Sequence, residues 1–522
     1  MTIRKLGRRE LMKAGAAVAG AAALGAKEII AEPARASGAT VQFPAPVPLE
    51  DARWSCVSTT EAAAWQTAQM YKPAFSFEAL NLNVVVPAGP TKTIARVADG
   101  RGGLTIDTVG RNVEGFGACL NELGWTSLSA LSDADRDSVM KEFFDPTAGA
   151  RFSYCRMPIG ANDFAREAYS YNETDGDFAM KNFSIAHDKD TLVPFIYAAK
   201  KYQPALKLWA SPWSPPTWMK RNHFYAEAKA YPGFKDNGIK PEQIGKEGED
   251  MFIQEPRYFE AYALYFQKFI EAYRAEGIQV GMVMPQNEFN SAQNFPSCTW
   301  TAAGLARFVE YLGPAMQKIG VDVFFGTLER GDVKLLDATM NDAKASRFVK
   351  GVGVQWAGKN ALADIDAKYP HLPIFQSEQE CGFGTNTWAY TTYCWQLMKE
   401  YFRRGARAYF YWNLATAKGG MSTWGWPQNS LVSVDAATKT FAYNHDYYLM
   451  KHLSHFVDVG ARRLETSGTC DDAIVFENPD GGVVALLHNG HPYKKQVAIQ
   501  VGDTGAMAEL AADSFATVIL KA

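Results

Sequence analysis

Two glutamates that each follow a short apolar stretch are the residues of this chain best suited to chemistry. Glu288 ends the stretch Val280–Glu288, and Glu378 ends the stretch Pro373–Glu378. The apolar and β-branched residues before each glutamate predict a buried strand that stops at a carboxylate. An unpaired buried carboxylate is costly, so the mouth of a cleft is its natural place. Two such glutamates on one sheet could hydrolyse a glycosidic bond, one as acid/base and one as nucleophile.

The strands that carry these glutamates belong to a longer alternation of strands and helices, which begins near Glu114. Eight segments have the composition of strands: Gly115–Cys119, Ser153–Pro158, Lys207–Ser211, Val280–Pro285, Val323–Thr327, Val352–Trp356, Ile374–Ser377 and Ala408–Asn413. Helical patterns follow most of them, at Asp133–Phe144, Asp190–Lys201, Tyr258–Glu276, Ala302–Ile319, Asn386–Arg403 and Tyr447–Val457. Eight such units predict a (β/α)8 TIM barrel with long loops. A doubly wound sheet is the alternative, but no GxGxxG motif follows a strand to favour it.

Strand-like pieces flank this alternation on both sides. Residues 52–113 contain two of them, Leu82–Pro87 and Leu104–Val109, and one weak helical period near residues 61–70. Residues 458–522 contain four more, at Ala473–Phe476, Gly482–Leu487, Lys495–Val501 and Ser514–Leu520. Because either set alone has few strands to bury a face, we expect both to join one β-sandwich. The predicted fold class is therefore α/β, a TIM barrel over residues 114–457 with an attached β-sandwich domain built from N- and C-terminal strands.

The first 36 residues resemble a bacterial twin-arginine export signal. Arg8 and Arg9 precede a weakly apolar run, Ala14–Ala26, and Ala34–Ala36 offers a small-x-small cleavage site. We expect this segment to be removed, residues 37–51 to form a linker, and the mature protein to be periplasmic or secreted. A chance arginine pair before a disordered leader is the alternative. No stretch approaches the roughly 18 apolar residues of a spanning helix, so we expect no stable membrane insertion.

The composition of the 522-residue chain narrows the functional classes. Its formal net charge is −3, and it has no basic excess that would indicate a nucleic-acid partner. Seven cysteines in an odd count, without close pairs, predict neither a zinc site nor a disulfide framework, although one disulfide stays open. We expect no cofactor and no metal. The 13 Trp and 23 Tyr residues suit either a large core or rings that stack on sugar faces.

Polar and aromatic residues stand at the predicted carboxyl ends of the barrel strands, where TIM-barrel active sites lie. They are Asn121, Glu122, Arg156, Trp213, Asn287, Glu288, Gln355, Trp356, Glu378, Trp412 and Asn413. Such residues suit a neutral polyhydroxylated ligand and a two-carboxylate displacement without metal. Strand ends four and seven lie across the barrel mouth, so Glu288 and Glu378 can face each other over a bound sugar. Glu380 rivals Glu378, because it lies two residues further on the same strand face.

Six short segments follow one another through the chain: Glu114–Ala118, Arg156–Pro158, Ala210–Lys220, Gln286–Glu288, Phe375–Glu378 and Trp412–Leu414. The longest of them, which contains SPWSPPTWMK, is the most specific. This set resembles the glucosylceramidase family, glycoside hydrolase family 30. The resemblance implies a retaining glycosidase whose barrel is fused to a β-sandwich built from both chain ends, in agreement with the fold predicted above.

The same resemblance implies a role for each residue around the two glutamates. Glu378 would be the nucleophile that forms a glycosyl ester, and Glu288 would be the acid/base that protonates the leaving oxygen and then activates water. Arg156 would keep Glu378 ionised, because a nearby cation favours the charged carboxylate. Glu288 must instead start protonated. Asn287 would bind the sugar 2-hydroxyl.

Further substrate-binding residues follow from the resemblance. Trp213 and Trp412 would wall the glucose subsite, and Glu122 would hold outer hydroxyls where the family's glucosidases carry Asp. Gln355 and Trp356 are also expected to bind substrate, at a strand end where glucosylceramidases carry a His and a Tyr.

The chain departs from the family pattern at several positions, and these departures leave the substrate open. Phe289 replaces a usual proline, Ala357 belongs to the altered end of strand six, and Tyr411 replaces an acidic residue. We expect a β-glucoside or glycolipid substrate, with glucosylceramide-like lipids leading and transient contact with a lipid surface open. The alternatives are β-1,6-glucan hydrolysis, β-xylosidase or β-fucosidase action, and a catalytically inactive carbohydrate-binding protein.

Overall fold

The computed structural model describes residues 46–73, 84–86, 112–234, 236–466, 470, 472–502 and 504–522. The expected export signal and the strand-like Leu104–Val109 lie outside these residues. Within Leu82–Pro87 the described part, Val84–Val86, is a strand. The helical period near residues 61–70 is wrong, because this stretch contains the strand Gln66–Ala68, which pairs with Trp54–Thr60.

Eight parallel strands close into a barrel, which confirms the predicted fold class. In chain order they are Gly115–Cys119, Tyr154–Ile159, Lys207–Pro212, Met282–Val283, Asp322–Leu328, Val349–Gln355, Ile374–Glu378 and Ala406–Asn413. The eighth strand pairs with the first, Ala408 opposite Gly115, so the sheet has no free edge there. Each strand lies where the sequence predicts it.

The fourth barrel strand is the one that differs most from expectation. Regular pairing covers Met282–Val283, whereas the sequence predicts Val280–Pro285. The backbone continues beside strand three, because Met284 N donates to Ala210 O over 2.9 Å. Pro285 has no N–H to donate, so the regular ladder stops before it and the chain is free to turn towards Glu288.

Nine α-helices are present in the described ranges, at Glu122–Ser129, Asp133–Phe144, Leu192–Tyr202, Pro256–Ala275, Ala302–Lys318, Lys334–Met340, Leu362–Lys368, Trp388–Arg403 and His445–Ser454. Short 3-10 helices occupy Ala186–Asp190, Thr217–Met219, Pro241–Gln243, Ser346–Phe348 and Trp356–Ala361. Six of the α-helices match predicted helical patterns. Glu122–Ser129, Lys334–Met340 and Leu362–Lys368 were not expected, because seven or eight residues are too few to display a helical period clearly.

Two further sheets form the predicted β-sandwich from both chain ends. One has six strands in the order Arg462–Leu464, Ala473–Glu477, Val483–Asn489, Ser514–Leu520, Trp54–Thr60 and Gln66–Ala68. The other has four, in the order Met70–Tyr71, Thr504–Leu510, Lys495–Val501 and Val84–Val86. Their facing apolar side chains share one core. A small sheet of Ala415–Ala417, Val432–Asp435 and Thr440–Tyr443 follows the eighth barrel strand.

The six-stranded sheet is buried on both faces, and this attaches the sandwich to the barrel. Val475 belongs to the sandwich core, whereas its neighbours Ile474 and Phe476 belong to the barrel core. Successive side chains of a strand point to opposite faces, so one strand serves both cores. The Phe476 ring lies 5.3 Å from that of Phe402, on a barrel helix, and fixes the contact.

A layer of large side chains fills the barrel interior below the site. It consists of Tyr154, Trp209, Met282, Met284, Phe324, Phe375, Ala408 and Phe410. Trp209 forms the top of this layer beneath the Arg156 guanidinium, 4.7 Å from its ring centroid. The polar groups of the barrel mouth therefore rest on a dry, packed floor.

Three further properties of the described residues concern disulfides, membrane-spanning helices and metal sites. All seven cysteines are buried and none forms a disulfide. No helix in these ranges is long and apolar enough to cross a membrane. The same ranges contain no group of three or more His, Cys, Asp or Glu side chains placed to hold a metal ion.

Candidate active site

Arg156, on the second barrel strand, connects the polar groups of the barrel mouth. Its Nη1 donates to Glu378 Oε2 over 2.8 Å, and its Nη2 donates to Asn287 Oδ1 over 2.7 Å and to Ser211 Oγ over 2.9 Å. The arginine is fully buried. One guanidinium thus joins strand ends two, three, four and seven, as its fork of fixed donors allows.

Three tryptophans surround the same guanidinium. Its central carbon lies 4.7 Å from the ring centroid of Trp209, 4.5 Å from that of Trp213 and 5.2 Å from that of Trp412. Ring faces stabilise a desolvated cation, which makes full burial of Arg156 tolerable. Trp213 and Trp412 lie 5.1 Å apart and form a paired aromatic wall at the barrel mouth.

Glu378 ends the seventh strand as a buried carboxylate with donors on both oxygens. Trp356 Nε1 donates to Oε1 over 3.0 Å, while Arg156 Nη1 and Gln355 Nε2 donate to Oε2. Donors that contact both oxygens favour the ionised form of the carboxylate. Glu380 occupies a separate site, where Lys359 Nζ and Tyr393 OH contact it at 2.5 and 2.7 Å.

Glu288 lies beyond the fourth strand in an unusual backbone conformation. Its φ of +46° is in the left-handed region that residues other than glycine rarely adopt. Its N–H donates to Thr327 Oγ1 over 2.9 Å, which fixes the turn. The Glu288 side chain is 2% exposed, and Gln293 Nε2 lies 3.4 Å from its Oε2. Strained backbone of this kind is found at functional sites, where surrounding contacts hold it.

One amide nitrogen joins the two glutamates. Gln355 Nε2 lies 3.2 Å from Glu288 Oε1 and 3.2 Å from Glu378 Oε2. Ser377 Oγ donates to Gln355 Oε1 over 2.9 Å and orients the amide. The two nearest carboxylate oxygens therefore lie within twice that nitrogen–oxygen distance of each other. This bound is compatible with the roughly 5–5.5 Å between the two carboxyl groups of retaining glycosidases.

Glu122 does not have the surroundings expected of a sugar-binding residue. Its Oε1 accepts from Arg166 Nε at 2.9 Å and Thr191 Oγ1 at 3.1 Å and contacts His187 Nε2 at 2.9 Å, while Oε2 accepts from Arg166 N at 3.1 Å. Burial acts to raise the pKa of Glu122, but hydrogen bonds and charge from His187 and Arg166 lower it overall. Protein donors contact both oxygens, and none of these contacts joins Glu122 to the Arg156 network, so its contact with outer hydroxyls stays a prediction.

Asp163 is the acidic residue that sequence reasoning missed. It follows the second strand, is 3% exposed, and precedes Phe164, whose ring lies edge-on to Trp412 at 6.4 Å. Burial raises the pKa of the Cys119 thiol, and the charges that act on this thiol are those of Arg156, Glu378 and Asp163. The signal in the sequence was an acid seven residues beyond Arg156, in the loop after strand two.

A cavity of about 400 Å³ is lined by Glu288 and does not include Arg156 in its lining. Nine of its fifteen lining residues are polar, namely Lys246, Glu247, Glu288, Asn290, Ser291, Gln293, Asn294, Glu329 and Arg330. The remaining lining residues are Ala228, Tyr231, Gly245, Ala292, Trp356 and Ala357. Glu329, just after the fifth strand, is a second buried acid in this lining. The sequence did not predict Glu329 as a site residue.

Most of the predicted site residues thus lie together at the barrel mouth, where hydrogen-bond donors join two carboxylates. Arg156, Asn287, Glu288, Gln355 and Glu378 form one connected network of hydrogen bonds. Trp213, Trp356 and Trp412 border this network, whereas Glu122 belongs to a different cluster. Two carboxylates bridged in this way can attack and protonate opposite sides of one glycosidic bond.

Comparison with known proteins identifies the family of this chain. The family model for the glycosyl hydrolase family 30 TIM-barrel domain matches residues 113–457. The chain is 28% identical over 443 residues to "Putative glucosylceramidase 1" of Caenorhabditis elegans, covering 77% of this chain and 78% of that protein. It is 26% identical over 414 residues to "Endo-1,6-beta-D-glucanase neg1" of Aspergillus fumigatus, covering 74% and 81%.

The fold is also found among solved structures. The structure of the endo-β-1,6-glucanase BT3312 matches with a TM-score of 0.73 at 23% identity, covering 90% of this chain and 99% of that one. This likeness extends over both the barrel and the sandwich. The chain belongs to glycoside hydrolase family 30 and is a glycoside hydrolase.

Proposed function

We propose that the protein is a retaining β-glycosidase that hydrolyses β-glucosidic bonds by double displacement. The observation that carries this proposal is the Gln355 amide nitrogen, which lies 3.2 Å from an oxygen of each glutamate. Glu378 attacks the anomeric carbon and forms a glycosyl ester, while Glu288 protonates the departing oxygen. Glu288 then removes a proton from a water molecule. This water attacks the anomeric carbon, displaces Glu378 and releases the sugar with its configuration retained.

The residues around the glutamates have distinct parts in this reaction. Arg156 holds Glu378 ionised and oriented for attack, and it fixes the Asn287 amide through Nη2. Asn287 binds the sugar 2-hydroxyl, a contact that strengthens in the transition state. Trp213 and Trp412 form the apolar wall against the sugar ring.

Strand six and the loop after strand two complete the sugar site. Gln355 and Trp356 donate to Glu378 and border the bound sugar. We assign the outer hydroxyls to Asp163 in place of Glu122. Asp163 is buried next to Phe164, whose ring lies against Trp412, whereas protein donors contact both Glu122 oxygens. A carboxylate that accepts two sugar hydroxyls can orient the ring for attack.

The cavity beyond Glu288 accommodates the leaving group, and its lining favours a carbohydrate. Lys246, Glu247, Asn290 and Arg330 offer donors and acceptors to hydroxyl groups. Sugar hydroxyls can pair with these side chains, whereas an alkyl chain would leave them without partners. A β-glucan, such as a β-1,6-linked one, is therefore the leaving-group class that this cavity supports best.

A glycolipid of the glucosylceramide type is the second candidate, and one observation favours it. Phe234 is 41% exposed and packs against Tyr231, which lines the cavity. Ile244 and Met421 are also exposed apolar side chains in barrel loops. Exposed apolar surface of this kind can contact a lipid surface transiently. Rates with β-1,6-glucooligosaccharides and with glucosylceramide in mixed micelles, compared at equal concentration, would decide between the two.

The proposed mechanism is tested by intact mass after incubation with a 2-fluoro-β-glucoside that carries a good leaving group, followed by peptide mapping. A single sugar adduct on Glu378 is expected. An adduct on Glu380 would show that Glu380 is the nucleophile. An adduct formed with the xylose or fucose analogue alone would show that the enzyme acts on that sugar and not on glucose. Sugar binding without any adduct or turnover would instead support the inactive carbohydrate-binding protein.

We also propose that the protein is exported through a twin-arginine signal. Support comes from Arg8 and Arg9, the apolar run Ala14–Ala26 and the cleavage site at Ala34–Ala36. Expression of the full chain in a bacterium with this export route should give a periplasmic protein that lacks its first 36 residues. Replacing both arginines with lysine should retain the uncleaved chain in the cytoplasm. Unchanged export of that variant would contradict the proposal.

A further inference from the structure

The carboxyl group of Glu329 holds the turn that carries Glu288. Its Oε1 accepts from Asn290 N over 2.9 Å and from Ser291 Oγ over 3.1 Å. These two residues directly follow Phe289 in the turn. Glu288 begins this turn with its φ of +46°. Left-handed backbone at a glutamate is strained and persists only where neighbouring contacts hold it. Glu329 supplies two of those contacts from a different strand.

Glu329 is also a buried acid in a crowded electrostatic environment. It is 2% exposed, and its Oε2 has no hydrogen-bond partner among the described residues. The charged groups that face it are Glu288, which lines the same cavity, and Arg330, whose Nη1 lies 3.7 Å from Oε1. Arg330 is itself paired with Glu247 at 2.9 Å, and Lys246 lines the cavity further out.

These neighbours act on Glu329 in opposite directions. Burial raises the pKa of Glu329 to about 8, the Arg330 cation opposes the rise, and the Glu288 carboxylate adds to it. Two interacting carboxyl groups lose their protons in two steps that belong to the pair. Glu329 therefore retains its proton into weakly alkaline solution.

We propose that Glu329 is a positioning residue for the acid/base Glu288, which it both orients through the Asn290–Ser291 turn and keeps supplied with a proton. This inference rests on the proposed function of Glu288. In the first step the single proton of the pair passes through Glu288 to the leaving oxygen, so both carboxyl groups are ionised. In the second step the attacking water returns one proton to Glu288. The pair thus ends the cycle with the one proton it had at the start.

Two glucosides separate this role from a merely structural one. Methyl β-glucoside has a poor leaving group that needs the proton, whereas 2,4-dinitrophenolate leaves unaided. The measured quantity is kcat/KM between pH 5 and 9 for each substrate. Glu329→Gln keeps an acceptor for Asn290 N but carries neither charge nor exchangeable proton. Glu329→Asp keeps the proton and shortens the reach to the turn.

Glu329→Gln should move the alkaline limb for methyl β-glucoside to lower pH by about one unit, which is roughly a tenfold loss at pH 9. The profile for the dinitrophenyl glucoside should not change. Glu329→Asp should keep the wild-type limb and lower kcat for methyl β-glucoside at every pH. Asp188→Asn is the matched control, because it removes another buried carboxyl, one bonded to Tyr171 and Tyr273 outside the cavity. It should leave the limb in place.

The result that overturns this inference is an alkaline limb for methyl β-glucoside that is the same in Glu329→Gln as in the wild type. An equal loss on both substrates would also overturn it, since a general disturbance does not distinguish leaving groups. Failure of the proposed function has a different signature, namely a wild-type protein that forms no adduct on Glu378 with the 2-fluoro glucoside. If Glu329→Gln does not fold, the Glu329→Asp profile alone decides, because loss of the wild-type limb there would contradict the proton role.

Discussion

Arg156 Nη1 lies 2.8 Å from Glu378 Oε2, and neither side chain is more than 5% exposed. A buried ion pair of this kind gives little net stability, because desolvation offsets much of the attraction. Removing one partner is different, since it leaves the other charge buried and uncompensated. The pair therefore links the chemistry of the site to the stability of the barrel.

Arg156→Gln should strongly impair both activity and folding. The loss of a donor aimed at the reacting carboxylate costs about 100-fold or more in kcat/KM. An unpaired buried charge also lowers the free energy of unfolding by about 3–5 kcal/mol. Both are measurable, by steady-state kinetics and by urea denaturation. Arg407→Gln is the matched control, because Arg407 pairs with Glu114 at a half-exposed position. A loss of the same size in Arg407→Gln would show that the effect does not depend on the pairing with Glu378.

Glu288→Gln should discriminate between substrates by their leaving groups. With an alkyl glucoside, kcat/KM should fall by about 10²–10⁴-fold, because general acid catalysis contributes that much. With 2,4-dinitrophenyl β-glucoside the first step needs no acid, so glycosyl-enzyme should accumulate and its hydrolysis should limit turnover. Added azide should then restore turnover and give β-glucosyl azide, identified by NMR. An α-azide product, or no rescue, would contradict the acid/base assignment.

The barrel was readable from the sequence because of how parallel strands are buried. Strands covered on both faces read as short continuous apolar runs, and polar residues mark their ends. Lys495–Val501 and Ser514–Leu520 were likewise predicted with their observed bounds, because turn residues delimit them. Thr504–Leu510 was not predicted, since Gly505, Ala506 and Ala508 give it no β-branched signal.

The site was only partly readable from the sequence. Glu122 and Asp163 both follow barrel strands, and position along the chain does not tell which acid faces the sugar. The sequence does not show that Arg166, from a later loop, contacts Glu122. Glu329 was overlooked for the same reason, since its partners Asn290 and Ser291 lie on another loop. Pairings between distant loops depend on tertiary packing, which a local pattern does not encode.

Asp163→Asn and Glu122→Gln should therefore have opposite consequences. Asp163→Asn should lower kcat/KM for β-glucosides by about 10-fold or more, since a charged acceptor to sugar hydroxyls is worth roughly 1.5–3 kcal/mol. Glu122→Gln should leave KM nearly unchanged and reduce thermal stability, because it weakens the contacts to Arg166 and His187. Kinetics and melting temperatures of both variants provide the test. A larger catalytic loss in Glu122→Gln than in Asp163→Asn would restore the original sequence assignment.

His452 should make the attachment of the sandwich to the barrel sensitive to acid. Its ring nitrogens lie 2.8 Å from Thr517 Oγ1 and 2.8 Å from Thr59 Oγ1, so the neutral imidazole joins a barrel helix to two sandwich strands. Burial lowers the pKa of His452 to about 3. Because the unfolded chain binds this proton near pH 6.5, stability is full above that pH and is lost as pH falls towards 3.

At pH 4.5 this single group should lower the free energy of unfolding by about 2–3 kcal/mol relative to pH 7. His452→Gln should be less stable at pH 7, because it loses one of the two threonine contacts, and its stability should fall less between pH 7 and pH 4.5. His491→Gln removes an exposed histidine and should retain the wild-type pH dependence. Urea denaturation of the three proteins at both pH values measures the difference. Equal pH dependence in wild type and His452→Gln would show that other groups cause the acid sensitivity.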